Sequence, residues 1–176
     1  MYKLILLPLF AVVFSTAISA QSAAFSTSGK VGYGTAAAPS LSTLQIAEIE
    51  QKAFELLNLE RVKAGRKPLQ WSEKGIGVAR GHSANMARYN FFSHRDLNGE
   101  TVEARASSVG ICDWNAIGEN IAFLKGYASP EQTAVQSWMR STGHRSNLLD
   151  ESWVETAVGV AVSEDGKYYF TQVFLR

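Results

Sequence analysis

Three side chains combine reactive chemistry with a setting that could use it: His94, Glu119 and His144. Neutral imidazole is the common nitrogen ligand of zinc-like ions and the usual general base near pH 7. His94 lies in Phe91-Phe92-Ser93-His94-Arg95-Asp96, a stretch that breaks a helical period. His144 lies in Ser137–Leu149, where Trp138, Arg140, Gly143, His144 and Arg145 crowd a junction between helical and strand-rich sequence. Glu119 directly follows Gly118, whose missing side chain permits a close backbone approach. A carboxylate that accepts backbone hydrogen bonds for purely structural reasons is the competing reading of Glu119. The two histidines are far apart in the chain and no His-Glu-x-x-His pattern is present, so spacing alone does not make them a site. His82, the third histidine, falls mid-helix and reads as a packed or hydrogen-bonded residue.

Other chemistries find less support. The chain has no Gly-x-Ser-x-Gly elbow, no glycine-rich phosphate loop and no calcium loop. Ser93 beside His94 and Ser141 near His144 are ordinary neighbours, and nothing flanking Cys112 would lower a thiol pKa. Formal net charge is +1, without the basic excess of a nucleic-acid binder. Cys112 is the only cysteine, so no intramolecular disulfide is possible and a small buried apolar role is expected for it.

The elements that must position these groups follow a targeting segment. Lys3, the apolar run from Leu4 to Phe14 and the small residues Ala17-Ile18-Ser19-Ala20 read as a signal peptide over 1–20, cleaved after Ala20. Pro8, Ser15 and Thr16 leave that run shorter than the roughly 20 apolar residues of a spanning helix. The expected location is therefore periplasmic or extracellular. Residues 21–41, rich in Ser, Ala, Gly and Thr, read as a flexible linker, and 42–176 as one domain, expected to be monomeric.

Ser42 with Gln45 has capping-box spacing for a long helix that Gly65 stops. Ile46, Ile49, Ala53, Leu56 and Leu57 form its inward face, and Glu48, Glu50, Lys52, Glu55 and Glu60 its solvated side. A second helix from Ser72 to about Tyr89 buries Ile76, Ala79, Ala84 and Met86. Gly75, Gly77 and Gly81 weaken that helix and suggest close packing. Asn98-Gly99 is a turn, a short helix spans 101–109 up to Gly110, and 111–117 is loop or short strand. Ser129-Pro130-Glu131-Gln132 starts a helix that carries Ala134, Val135, Trp138 and Met139 inward. Residues 154–162 and 168–175 form strands joined at Asp165-Gly166. Helices first and a hairpin last favour an α+β sandwich over a parallel array.

Asn58-x-x-Arg61, Pro68-Leu69-x-Trp71, Phe92-Ser93-His94, Gly118-Glu119-Asn120-Ile121-Ala122, Trp138-x-x-Ser141-x-Gly143-His144-Arg145-x-Asn147-Leu148-Leu149, Val158-Gly159-Val160 and Tyr169-x-Thr171-Gln172-x-Phe174 occur in this order. Together they resemble the CAP superfamily of cysteine-rich secretory, antigen 5 and pathogenesis-related proteins, most closely its short bacterial branch. The resemblance covers about 43–176. It implies an α-β-α sandwich with a central, mostly antiparallel sheet. It also implies a surface cleft lined by two His and two Glu, in which the histidines hold a divalent ion, often zinc. His94, Glu119 and His144 match three of those positions. The second family Glu has no counterpart and Ser141 stands at its place, so any metal would keep open positions and be held weakly. Arg145 and Asn147 are expected to brace the turn around Gly143.

Two functions follow as expectations. The first is a non-catalytic module binding a lipid, peptide or cell-wall ligand, with a weakly held divalent metal as its only cofactor. The second is a metal-assisted hydrolase of protease or cell-wall amidase type, with Glu119 as base for a water held by His94 and His144.

Overall fold

The computed structural model describes residues 41–176; the expected signal peptide, and the linker up to residue 40, lie outside the described residues. The elements are α1 (Thr43–Lys63), β1 (Gln70–Trp71), α2 (Gly75–Tyr89), α3 (Val102–Ser108), β2 (Ile117–Leu124), α4 (Pro130–Arg140), α5 (Thr142–Leu149), β3 (Glu155–Val162) and β4 (Tyr168–Leu175). The strands form one sheet in the order β1-β3-β4-β2, with β3–β4 and β4–β2 antiparallel and the short β1 parallel to β3.

Alternation along the strands separates two helical layers. Val158, Val160, Phe170, Phe174 and Ala122 pack with Ala53, Leu57, Trp138 and Leu148, which places α1, α4 and α5 on one face. Val173 and Leu175 pack with Val78, Ala79, Val102 and Ala106, which places α2 and α3 on the other. The expected α-β-α sandwich is therefore the observed fold.

Local signals explain the ends of these elements. Ser42 and Gln45 close a complete capping box on α1, and Gly65 leaves the helix with φ +72°, a conformation that favours glycine. Pro130 opens α4 as expected, but the Ser129 side chain makes no capping bond. α2 begins at Gly75 rather than near Ser72; Ser72 instead accepts Gly75 N–H through Oγ at 3.2 Å.

Several expectations are corrected by packing. Ala84 is exposed, and Val78, His82 and Ser83 face inward in its place. Gly77 and Gly81 have open space where a side chain would stand; the close approach to α2 comes from the sheet, at Gly159. A Cβ on Gly159 would lie 2.2 Å from Arg80 N. Cys112 is exposed, because Ile111 and Trp114 take the inward positions of that loop. Glu50 is not on a solvated face: it is 1% exposed, accepts Val160 N–H at 3.0 Å and pairs with Arg80 at 2.6 Å. The stretch around Glu119 is itself a strand, β2, so the strands do not all follow the helices.

Side chains take outward backbone groups on both long edges of the sheet. Glu50 takes the outward N–H of Val160 on β3. On β2, Trp138 Nε1 donates to Ile121 O at 3.0 Å and Asn147 Nδ2 to Glu119 O at 3.2 Å. Such capping takes away part of the template for pairing with another strand.

Candidate functional site

The residues singled out by their chemistry meet at the outer edge of β2, drawn from both helical layers. Glu119 projects from β2 on the face covered by α2 and α3. His94 arrives from the loop after α2, and His144 from the first turn of α5 on the opposite layer. The two imidazole centroids are 6.5 Å apart, with rings tilted by 36°.

Each imidazole is held through Nδ1. His94 Nδ1 lies 2.8 Å from Glu119 Oε1, and because a carboxylate oxygen accepts, this nitrogen carries the proton. His144 Nδ1 lies 2.9 Å from Ser141 Oγ. Burial, and secondarily the neighbouring His94, lower the pKa of His144 from its ordinary value, which favours the neutral ring. His94 is about half exposed, whereas the Glu119 side chain is 3% exposed.

Arg105 completes the arrangement, and sequence reasoning missed it. From α3 it donates through Nη2 to Glu119 Oε2 at 2.5 Å, and through Nη1 to His94 O at 3.1 Å and Glu100 O at 2.8 Å. It thus fixes both the carboxylate and the loop that carries His94. Its α3 neighbourhood offered only an arginine on a short helix, indistinguishable in sequence from a solvated one. His82, buried as expected, anchors the same loop through Nε2 to Ser93 O at 2.8 Å.

On the other side, Asn120 Nδ2 donates to His144 O at 3.2 Å, and Asn147 Nδ2 to Asn120 Oδ1 at 3.1 Å. Trp153 Nε1 donates to Asn147 O at 3.0 Å. Gly118 makes room for this indole, since a Cβ there would stand 2.9 Å from Trp153 Cζ2. Asn147 therefore braces the junction as expected. Arg145 does not: it is exposed and makes no side-chain hydrogen bond among the described residues. Gly143 does not make the turn either. It lies inside α5, and the chain bends at Ser141, whose extended backbone (φ −88°, ψ 121°) separates α4 from α5.

The histidine pair looks out from an open edge; cavities of about 560, 570, 190 and 800 Å³ elsewhere on the domain are lined by other residues. Among the described residues no group of three or more His, Cys, Asp or Glu is arranged to hold a metal. Two nitrogens remain as the donor set. A Zn–N bond of about 2.0–2.1 Å puts the ion about 3.2 Å from each ring centroid, so a tetrahedral angle needs centroids about 5.2 Å apart. The observed 6.5 Å exceeds this by about 1.3 Å, so a shared ion would require the His94 ring, held to Glu119 through Nδ1, to shift toward His144. The residues thus fit an open two-histidine site and not a closed one.

A sheet between two helical layers is the architecture that the sequence resemblance implied. The sequence profile of the cysteine-rich secretory protein family, CAP, matches residues 54–174. The chain belongs to this family. It is 38% identical over 141 residues to YkwD of Bacillus subtilis (strain 168), spanning 80% of this chain and 51% of that protein. It is 37% identical over 129 residues to the membrane protein YlbC of the same organism, spanning 72% and 34% respectively. An extracellular protein containing a SCP domain from Bacillus anthracis str. Ames superposes with a TM-score of 0.65 at 30% identity, over 79% of this chain and 45% of that one. This chain therefore spans about half or less of the length of these relatives. Among the described residues no helix is long and apolar enough to cross a membrane.

Proposed function

We propose that this protein is an exported CAP module that binds an extracellular peptide or cell-wall ligand without turning it over. In this reading His94 and His144 hold a divalent ion, zinc first among the candidates. One observation carries it: both imidazoles are tied down through Nδ1, to Glu119 and to Ser141, which leaves both Nε2 atoms for a ligand. With Nδ1–H donating to Ser141 Oγ, the Nε2 lone pair of His144 is free, the outer-shell logic common to metal-binding histidines. A bound ion would supply a Lewis-acidic centre with open positions for an oxygen or nitrogen donor of the ligand. Lipid binding has less support, since the cavities described above are lined by residues other than the histidines. Export is supported by the signal-like segment 1–20 and by the similarity to the extracellular Bacillus anthracis protein.

The hydrolase alternative requires Glu119 to act as base. Its two oxygens accept from His94 and Arg105, and its side chain is 3% exposed, so little of it meets the water it would have to deprotonate. Glu119 is better suited to orienting His94. The test is equilibrium dialysis of the purified protein against zinc, alongside His94→Ala and His144→Ala. Micromolar or weaker binding, lost in both variants, is expected. Unchanged metal content in both variants refutes the shared site, and cleavage of a peptide or cell-wall substrate by the zinc-loaded protein refutes the non-catalytic reading.

A further inference from the structure

The face of α5 turned away from Asn147 borders a second feature. Thr142, Arg145, Ser146 and Leu149, spaced by threes and fours, line a surface cavity of about 560 Å³ together with Met139, Arg140, Arg66, Asp150 and Glu151. Arg66, Arg140 and Arg145 thus line it from the segment after α1, the end of α4 and α5. Beneath it Arg61, 1% exposed, donates to the carbonyl oxygens of Lys67, Leu148 and Asp150 and makes no carboxylate hydrogen bond. Arg66 is paired with Glu151 at 2.6 Å, and Asp150 Oδ1 accepts Ser152 N–H at 2.8 Å. Arg140 and Arg145 make no ion pair or side-chain hydrogen bond among the described residues.

We propose that this cavity binds a small phosphate monoester, independently of the histidine pair. Three arginines lining one cavity from different elements suit an anion with oxygens in several directions better than a planar carboxylate. The cavity falls within the roughly 300–1,000 Å³ of small-ligand sites, larger than phosphate alone requires, and Met139 and Leu149 offer apolar surface to the organic part. The lining sets three arginines against two carboxylates, Asp150 and Glu151, a local excess of one positive charge.

Amide NMR of the full-length protein, titrated at low salt with inorganic phosphate and with glycerol phosphate, tests this. Perturbations within 139–151 are expected, with glycerol phosphate binding at least threefold more tightly than inorganic phosphate. Arg140→Gln combined with Arg145→Gln should weaken binding about tenfold or more, two charge-assisted contacts being removed. Glu151→Gln removes an opposing charge and should tighten it severalfold, and His94→Ala should leave it unchanged. Perturbations centred elsewhere, or an affinity unmoved by both the double arginine and the Glu151 substitutions, overturn the site. Equal affinity for the two probes overturns the monoester assignment. None of these results bears on zinc binding by His94 and His144, so the two proposals fail separately.

Discussion

Arg105 should be the side chain on which the histidine edge depends most. Its pair with Glu119 is buried on both sides, the side chains being 8% and 3% exposed. Removing one partner of a buried pair costs about 3–5 kcal/mol, because the other charge is left uncompensated. His94 remains beside Glu119 and is about half exposed, so part of the carboxylate's field is still answered; the lower end, about 3 kcal/mol, is expected for Arg105→Ala. That is a large fraction of the roughly 5–15 kcal/mol that stabilises a typical domain. Part of this loss is the bonds to His94 O and Glu100 O, which Glu119→Gln would not remove. The double variant Arg105→Ala with Glu119→Gln should therefore regain about 2 kcal/mol relative to the sum of the single changes. Urea unfolding of the four proteins measures the cycle. A coupling below about 0.5 kcal/mol would show that the pair is no unit and refute the assigned role.

Gly159→Ala should destabilise by about 3 kcal/mol or more, since backbone 2.2 Å from the new Cβ cannot yield without lifting α2 off the sheet; a urea midpoint close to that of the parent protein would contradict the contact. Burial leads the causes that lower the pKa values of both His82 and His144 from the ordinary 6.5. The unfolded chain then binds more protons, so stability is full above about pH 6.5 and falls as pH drops from there toward the lowered folded values. His82→Gln should flatten that slope in urea midpoints taken across the interval, and an unchanged slope would count against a neutral buried His82. Ser141→Glu, which supplies a carboxylate beside His144, should tighten zinc about tenfold or more in dialysis if the histidines form the metal site; no gain would argue against it.

Legibility in the sequence followed from how local the physics was. Ser42 with Gln45, Gly65, Gly110 and Asp165-Gly166 act within a few residues, and each ended or capped its element as expected. His94, Glu119 and His144 were found by type and by likeness to a family pattern, since the fold alone brings such distant positions together. Glu50, Arg61 and Arg105 were not legible as buried residues. Each is a charged side chain at a helical position where solvent is the ordinary outcome, and each is buried because a backbone group or an opposite charge from another element waits there. Cys112 failed in the opposite direction: a small apolar residue was displaced by its larger neighbours Ile111 and Trp114. Gly143 misled because a glycine near a helix boundary suggests a turn, whereas the bend required only the extended backbone of Ser141.

The edge strand β2 ties these observations into one design. An antiparallel edge leaves alternate backbone groups unpaired, and here their partners are side chains from the helices that carry or support the histidines. Asn147, on α5, holds Glu119 O while Trp153 holds Asn147; Asn120, on β2, holds His144 O in return. Closing the edge and placing His144 are therefore the same act. On the opposite layer Arg105 uses one guanidinium to hold both Glu119 and the backbone of His94. Each histidine is consequently tied to β2, His94 through Glu119 and Arg105 and His144 through Asn120, while the His94 side chain stays about half exposed. In the proposed reading, a site of two histidines suits reversible capture of an ion better than permanent retention. Tight structural metal would call for a closed ligand set, which is not found among the described residues.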